Sequence, residues 1–99
     1  MIKINIDKDD NKIVRIKVSG HAHYAESGKD IVCAAVSSTV ITTVNNILSL
    51  SKTIDYLEGK DSLTINVIKD DKNTQKILNN MLSMLNELEK DYPKYIKIF

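Results

Sequence analysis

Between positions 30 and about 50 the chain runs without a glycine or a proline, and this stretch decides most of what it can fold into. Val32, Val36, Val40, Val44 and Ile47 recur at intervals of three or four, with Ala35, Thr39 and Thr43 beside them, so a helix gathers them on one face. The β-branched content pulls the other way. Val36, Thr39, Val40, Ile41, Thr42, Thr43 and Val44 all favour strands on intrinsic propensity. Length settles the competition, because strands rarely exceed about 10 residues. Asp30 also has the side chain that best caps a helix start. The stretch is predicted to be a buried helix, which needs a sheet or further helices to bury it.

The rest of the chain supplies them. Ile2, Ile4 and Ile6 alternate with Lys3, Asn5 and Asp7, a strand over 2–7. Asp9-Asp10-Asn11 is turn chemistry. A second strand over 12–19 places Val14, Ile16 and Val18 inward and Arg15 and Lys17 outward, completing a hairpin. Segments 53–57 and 62–68 flank Glu58-Gly59-Lys60-Asp61 as another hairpin, with Leu63, Ile65 and Val67 on one face. Over 73–89, Ile77, Met81, Met84, Leu85 and Leu88 form an amphipathic stripe; Pro93 ends that helix, and 95–99 is a short final strand. The order β-β-α-β-β-α-β predicts one α+β domain over 1–99, its two helices packed on a mixed or antiparallel sheet.

Charge and composition exclude several functions. Fourteen basic residues face 13 acidic ones, for a net charge of +1, and Arg15 is the sole arginine. That balance lacks the basic face that direct nucleic-acid binding requires. The amino terminus alternates instead of forming an apolar block, so it is not read as a signal peptide, and no apolar run is expected to reach the roughly 20 residues of a membrane span. One cysteine makes no internal disulfide, which fits a reducing cytoplasm, and it rules out zinc sites built on several thiolates. No cofactor or metal is expected. A site made from His21, His23 and Cys33 lacks a fourth ligand.

The reactive side chains crowd between positions 20 and 37. The segment 20–29 holds two of the three glycines and both histidines, and it has no periodicity. It is read as a long loop, of the kind that carries function. With Asp30 as cap, Cys33 falls in the first helical turn, where the positive end of the helix dipole stabilises a thiolate and backbone N–H groups can hold an oxyanion. His21 and His23 sit on the loop leading to that turn, which could bring either imidazole to Cys33 as a base. Gly20 lets the backbone turn at His21, and Gly28 frees the chain before the helix. Ala22, Ala25, Ala34 and Ala35 leave open space, and Ser37 lies one turn beyond Cys33 on the same face. Against this, free cysteines are most often inert core residues, a loop histidine is most often simply solvated, and the Asp30 carboxylate disfavours a thiolate unless capping occupies it. Residue types and spacing leave a thiol enzyme and an inert core cysteine both open.

The run Gly20-His21-Ala22, then Ala25, Gly28 and Asp30, then Ile31-Val32-Cys33-Ala34-Ala35-Val36-Ser37 resembles the signature of the bacterial ribosomal-processing cysteine proteases, the Prp family. The resemblance implies a nucleophile at Cys33 and a general base at His21. Gly20, Asp30 and Ser37 fill other motif positions, the backbone around Cys33 and Ala34 is expected to receive the oxyanion, and His23 lies in a variable stretch. It implies a cytoplasmic homodimer that removes the amino-terminal extension of a large-subunit ribosomal protein after a segment ending in aromatic residues. Tyr24 adjoins the motif and is a candidate to receive those aromatics. The rival reading is a non-catalytic ribosome-associated binding module with Cys33 buried.

Overall fold

The computed structural model describes residues 1–26 and 29–99. Seven elements follow in the predicted order: β1 (Ile2–Asp9), β2 (Lys12–Ser19), α1 (Ile31–Leu50), β3 (Ile54–Glu58), β4 (Ser62–Val67), α2 (Lys72–Asp91) and β5 (Ile96–Ile98). The sheet runs β3-β4-β2-β1-β5. β5 lies parallel to β1 and every other pair is antiparallel, so the sheet is mixed. The first hairpin turns on Asp10 and Asn11, at φ 52° and 62°. Two successive left-handed residues are what a two-residue hairpin turn requires, and they let β1 run two residues further than its alternation suggested.

α1 forms despite its β-branched sequence because its apolar face is buried. Val32, Val36, Val40, Val44 and Ile47 join Ile2, Ile4, Ile16 and Ile65 of the strands and Leu78, Met81 and Leu85 of α2 in one core. Two of the three threonines that would favour a strand are satisfied within the helix. The hydroxyls of Thr39 and Thr43 each donate to the carbonyl four residues earlier at 2.8 Å. By length and composition α1 is also apolar enough to cross a membrane, contrary to the expectation from the sequence. In this fold its valine face is closed against the sheet and α2.

Two faces differ from the simple periodic reading. Ile13 is buried while Val14 is exposed, because Asp7 pairs with Arg15 and Lys8 with Ile13, leaving Val14 unopposed. This β-bulge reverses the alternation over the start of β2. In α2 the buried face is Thr74, Leu78, Met81, Leu82 and Leu85, rotated from the predicted stripe. Met84 is half exposed, and with Ile77 and Leu88 it lines a groove against Ala35, Thr39 and Thr43 of α1.

One end of the sheet builds the site. Ser19 of β2 pairs with Ser62 of β4, and the Gly20 N–H continues that ladder by donating to the Asp61 carbonyl at 3.0 Å. The end of β2 and the turn between β3 and β4 therefore meet. Gly20 has φ +85°, and a Cβ there would stand 2.5 Å from the Met1 carbonyl oxygen. Only glycine suits that position.

Candidate active site

Cys33 is the third residue of α1, partly buried and free. Its Sγ accepts the N–H of Ala22 at 3.3 Å, so the loop after β2 lies directly over the thiol. Ala22 itself is buried, which anchors the loop there.

Asp30 is engaged by three backbone N–H groups. Its Oδ1 accepts the N–H groups of Val32 and Cys33 at 3.0 Å each, and its Oδ2 accepts the N–H of Tyr24 at 3.1 Å. The Cys33 N–H is the strongest of the influences holding this carboxyl below the usual carboxylate range, with the Tyr24 N–H adding to it. Asp30 thus caps the helix and fastens the loop, and it is not the partner of His21. That partner is Asp61, whose Oδ1 lies 2.8 Å from His21 Nε2. Among the described residues the imidazole is hydrogen-bonded to Asp61 and not to Cys33. His23, in a left-handed conformation at φ 55°, sets its ring centroid 5.8 Å from that of His21.

A cavity of about 530 Å³ is walled by His21, Asp30, Cys33, Ala34 and Ser37 together with His23 and Ala25. A second hollow of about 300 Å³ shares His21, Cys33 and Ser37 and continues past Gly20 to Asp61 and Leu63. Both border the thiol, and each falls in the size range of ligand sites. The Ser37 hydroxyl, unlike those of Thr39 and Thr43, is not among the described bonds back to the helix backbone, and it borders both hollows.

Residues 1–97 match the profile of the family described as Cysteine protease Prp. The chain belongs to that family. A curated relative, the ribosomal processing cysteine protease Prp of Staphylococcus aureus strain Mu50, is 32% identical over 103 residues, covering 99% of this chain and 97% of its own. The fold is similar to the S. aureus Prp structure in complex with a covalently linked product peptide, with a TM-score of 0.93 at 30% identity over 99% of this chain and 97% of that one. A second S. aureus Prp structure, in complex with a substrate peptide, gives a TM-score of 0.88 at 29% identity, covering 100% and 98%. The chain is accordingly a cysteine protease with the α+β architecture of the Prp proteins.

Within that family frame, the structure brings Gly20, His21, Asp30, Cys33, Ala34 and Ser37 to one cleft. It differs from the sequence reading in three respects. The N–H groups of Cys33 and Ala34, expected to be free for an oxyanion, donate to the Asp30 carboxylate and to the Asp30 carbonyl, the latter at 3.1 Å. Tyr24 does not stand alone: its ring packs edge-on against Tyr92 and Tyr95, with centroids 5.7 and 5.2 Å away, and it remains exposed. Asp61 was not foreseen, since it lies 40 positions from His21 in an ordinary turn sequence. Gly28, expected to free the chain before α1, lies outside the described residues.

Proposed function

We propose that Cys33 is the nucleophile and His21 the general base of an endopeptidase that removes the amino-terminal extension of a large-subunit ribosomal protein. The observation that carries this is the cleft itself. A thiol at a helix start, with the His21 and His23 imidazoles on the wall and two hollows bordering the sulfur, suits a bound peptide. Relatives named for ribosomal processing, one of them with a covalently linked product peptide, point to the same chemistry.

His21 takes the Cys33 proton, and the thiolate attacks the scissile carbonyl to form a tetrahedral oxyanion. The α1 N-terminus supplies positive potential at that point, and Ser37 stands on the cleft wall to donate to the oxyanion or the bound backbone. The imidazolium protonates the leaving amine, leaving a thioester. Water, deprotonated by His21, then releases the acyl group and restores the thiol.

The reading places the enzyme in the cytoplasm, where ribosomes are assembled and a single thiol stays reduced. It also includes a homodimer, supported by the apolar groove of Ile77, Met84 and Leu88 against α1, about 560 Å³ in volume. A net charge of +1 favours recognition of the protein substrate rather than of rRNA. The test is mass spectrometry of the extended ribosomal protein after incubation with wild type, Cys33→Ala and His21→Ala. A single cut after the aromatic segment, lost in both variants, is expected. An intact substrate that still binds the wild-type chain would favour the non-catalytic module.

A further inference from the structure

The geometry points to Asp61 as a positioning residue that holds His21 by Nε2 and so leaves Nδ1 as the nitrogen presented to Cys33. The inference deepens the thiol-protease reading of this site and rests on it.

The two half-exposed side chains meet at 2.8 Å, Nε2 to Oδ1. A carboxylate accepts hydrogen bonds and donates none, so the proton between them belongs to Nε2. In a neutral imidazole the lone pair is then on Nδ1, and that is the atom able to take the thiol proton. The other carboxylate of the cleft is turned elsewhere. The oxygens of Asp30 accept the Val32 and Cys33 N–H groups and that of Tyr24, and the described bond of His21 goes to Asp61.

Asp61 is also held where it must be. Its carbonyl oxygen accepts the Gly20 N–H at 3.0 Å, so its backbone is tied to the residue next to His21 while its side chain is tied to His21 itself. The turn that carries it is closed by the Gly59 N–H donating to the Ser62 carbonyl at 2.8 Å. The hollow of about 300 Å³ is bordered by His21, Cys33 and Asp61 together. A peptide filling it covers the imidazole–carboxylate bond and removes water from it, which strengthens the bond when the base is needed.

Two readouts test this on the intact chain. In ¹⁵N-histidine NMR, neutral His21 should be the Nε2–H tautomer in the wild type and a mixture in Asp61→Ala or in Asp61→Ser, the second truncation chosen to suit a turn. In cleavage of a quenched fluorescent peptide spanning the extension's aromatic segment, Asp61→Ala should lose roughly ten- to hundredfold in kcat with KM changed less than about threefold, since a well-placed general base is worth about 10²–10⁴-fold. Asp61→Glu, which keeps an accepting carboxylate, should retain more of the wild-type rate than either truncation, and Lys76→Ala, exposed on α2 away from both hollows, should match wild type. An unchanged tautomer in both truncations overturns the inference whatever the rate does, and so does a truncated variant as fast as wild type or faster. Should the wild type cut no peptide, the protease reading fails by itself, and the tautomer still decides whether Asp61 sets the ring.

Discussion

Replacing Gly20 with alanine should cost far more than its exposed position at the end of β2 suggests. The backbone there has φ +85°, and a left-handed residue bearing a Cβ loses about 1–2 kcal/mol. The new methyl would sit 2.5 Å from the Met1 carbonyl oxygen, well inside the 3.4 Å at which ordinary contact begins. The obstacle is backbone, so either β1 or residue 20 must move, a distortion comparable with overpacking at about 1–3 kcal/mol. Together these give a loss of roughly 2–5 kcal/mol, or a Tm lower by roughly 8–40 °C for a domain of this size. A chain in the upper part of the usual stability range of about 5–15 kcal/mol stays folded. Gly59→Ala is the matched control. Its Cβ meets the Ser62 hydroxyl at the same 2.5 Å, but a side-chain oxygen rotates away, so the loss should stay under about 1 kcal/mol. Urea unfolding followed by circular dichroism measures both. A Gly20→Ala variant within about 0.5 kcal/mol of wild type would refute the steric argument, as would two variants equally destabilised.

The bulge in β2 makes Ile13 and Val14 unequal. Ile13→Ala should cost about 2–4 kcal/mol and Val14→Ala under about 1 kcal/mol in the same urea assay, and the reverse ranking would mean that the regular alternation holds. Acid should destabilise the chain through its two helix caps. The carboxyls of Asp30 and Asp71 are both held below their ordinary value of 3.8 by N–H donors, those of Cys33 and Thr74 foremost. A depressed folded-state pKa contributes stability that is present above the unfolded value and lost as pH falls through the folded one. Thermal melts at pH 6 should therefore separate wild type from the Asp30→Asn, Asp71→Asn double variant, and the gap should narrow progressively as pH falls below the ordinary carboxyl value of 3.8. A gap that persists there would show that the caps do not act through their charge.

The fold was legible wherever a single period governed a segment. The valines of α1, the alternation of β1 and the apolar face of β4 each state one structure, and their order implied the layers. Legibility stopped where a residue's setting depends on something distant. Nothing near Val14 announces that Lys8 will pair with Ile13 and turn Val14 outward. The stripe through Ile77, Met84 and Leu88 is a sound helical pattern, but which part of a wide apolar face meets the sheet depends on how α2 sits against α1. The site divides in the same way. Cys33, Asp30 and Ala34 could be placed from a cap and a helix start, because those relations are local. The loop histidine could be named, but its partner could not, since Asp61 reaches His21 only through the pairing of β2 with β4. The occupied N–H groups of Cys33 and Ala34 follow from the very cap that identified the helix, a consequence the motif alone does not display.

The central claim is that the Cys33 sulfur becomes acylated by the segment it cleaves. Acid-quenched intact-mass spectrometry of this chain during turnover of the extended ribosomal protein tests it most directly. The account predicts a transient mass increase equal to the removed extension less one water, mapped to Cys33, absent from Cys33→Ala and not accumulating in His21→Ala. Undiminished cleavage by Cys33→Ala, or an adduct on another residue, would contradict it.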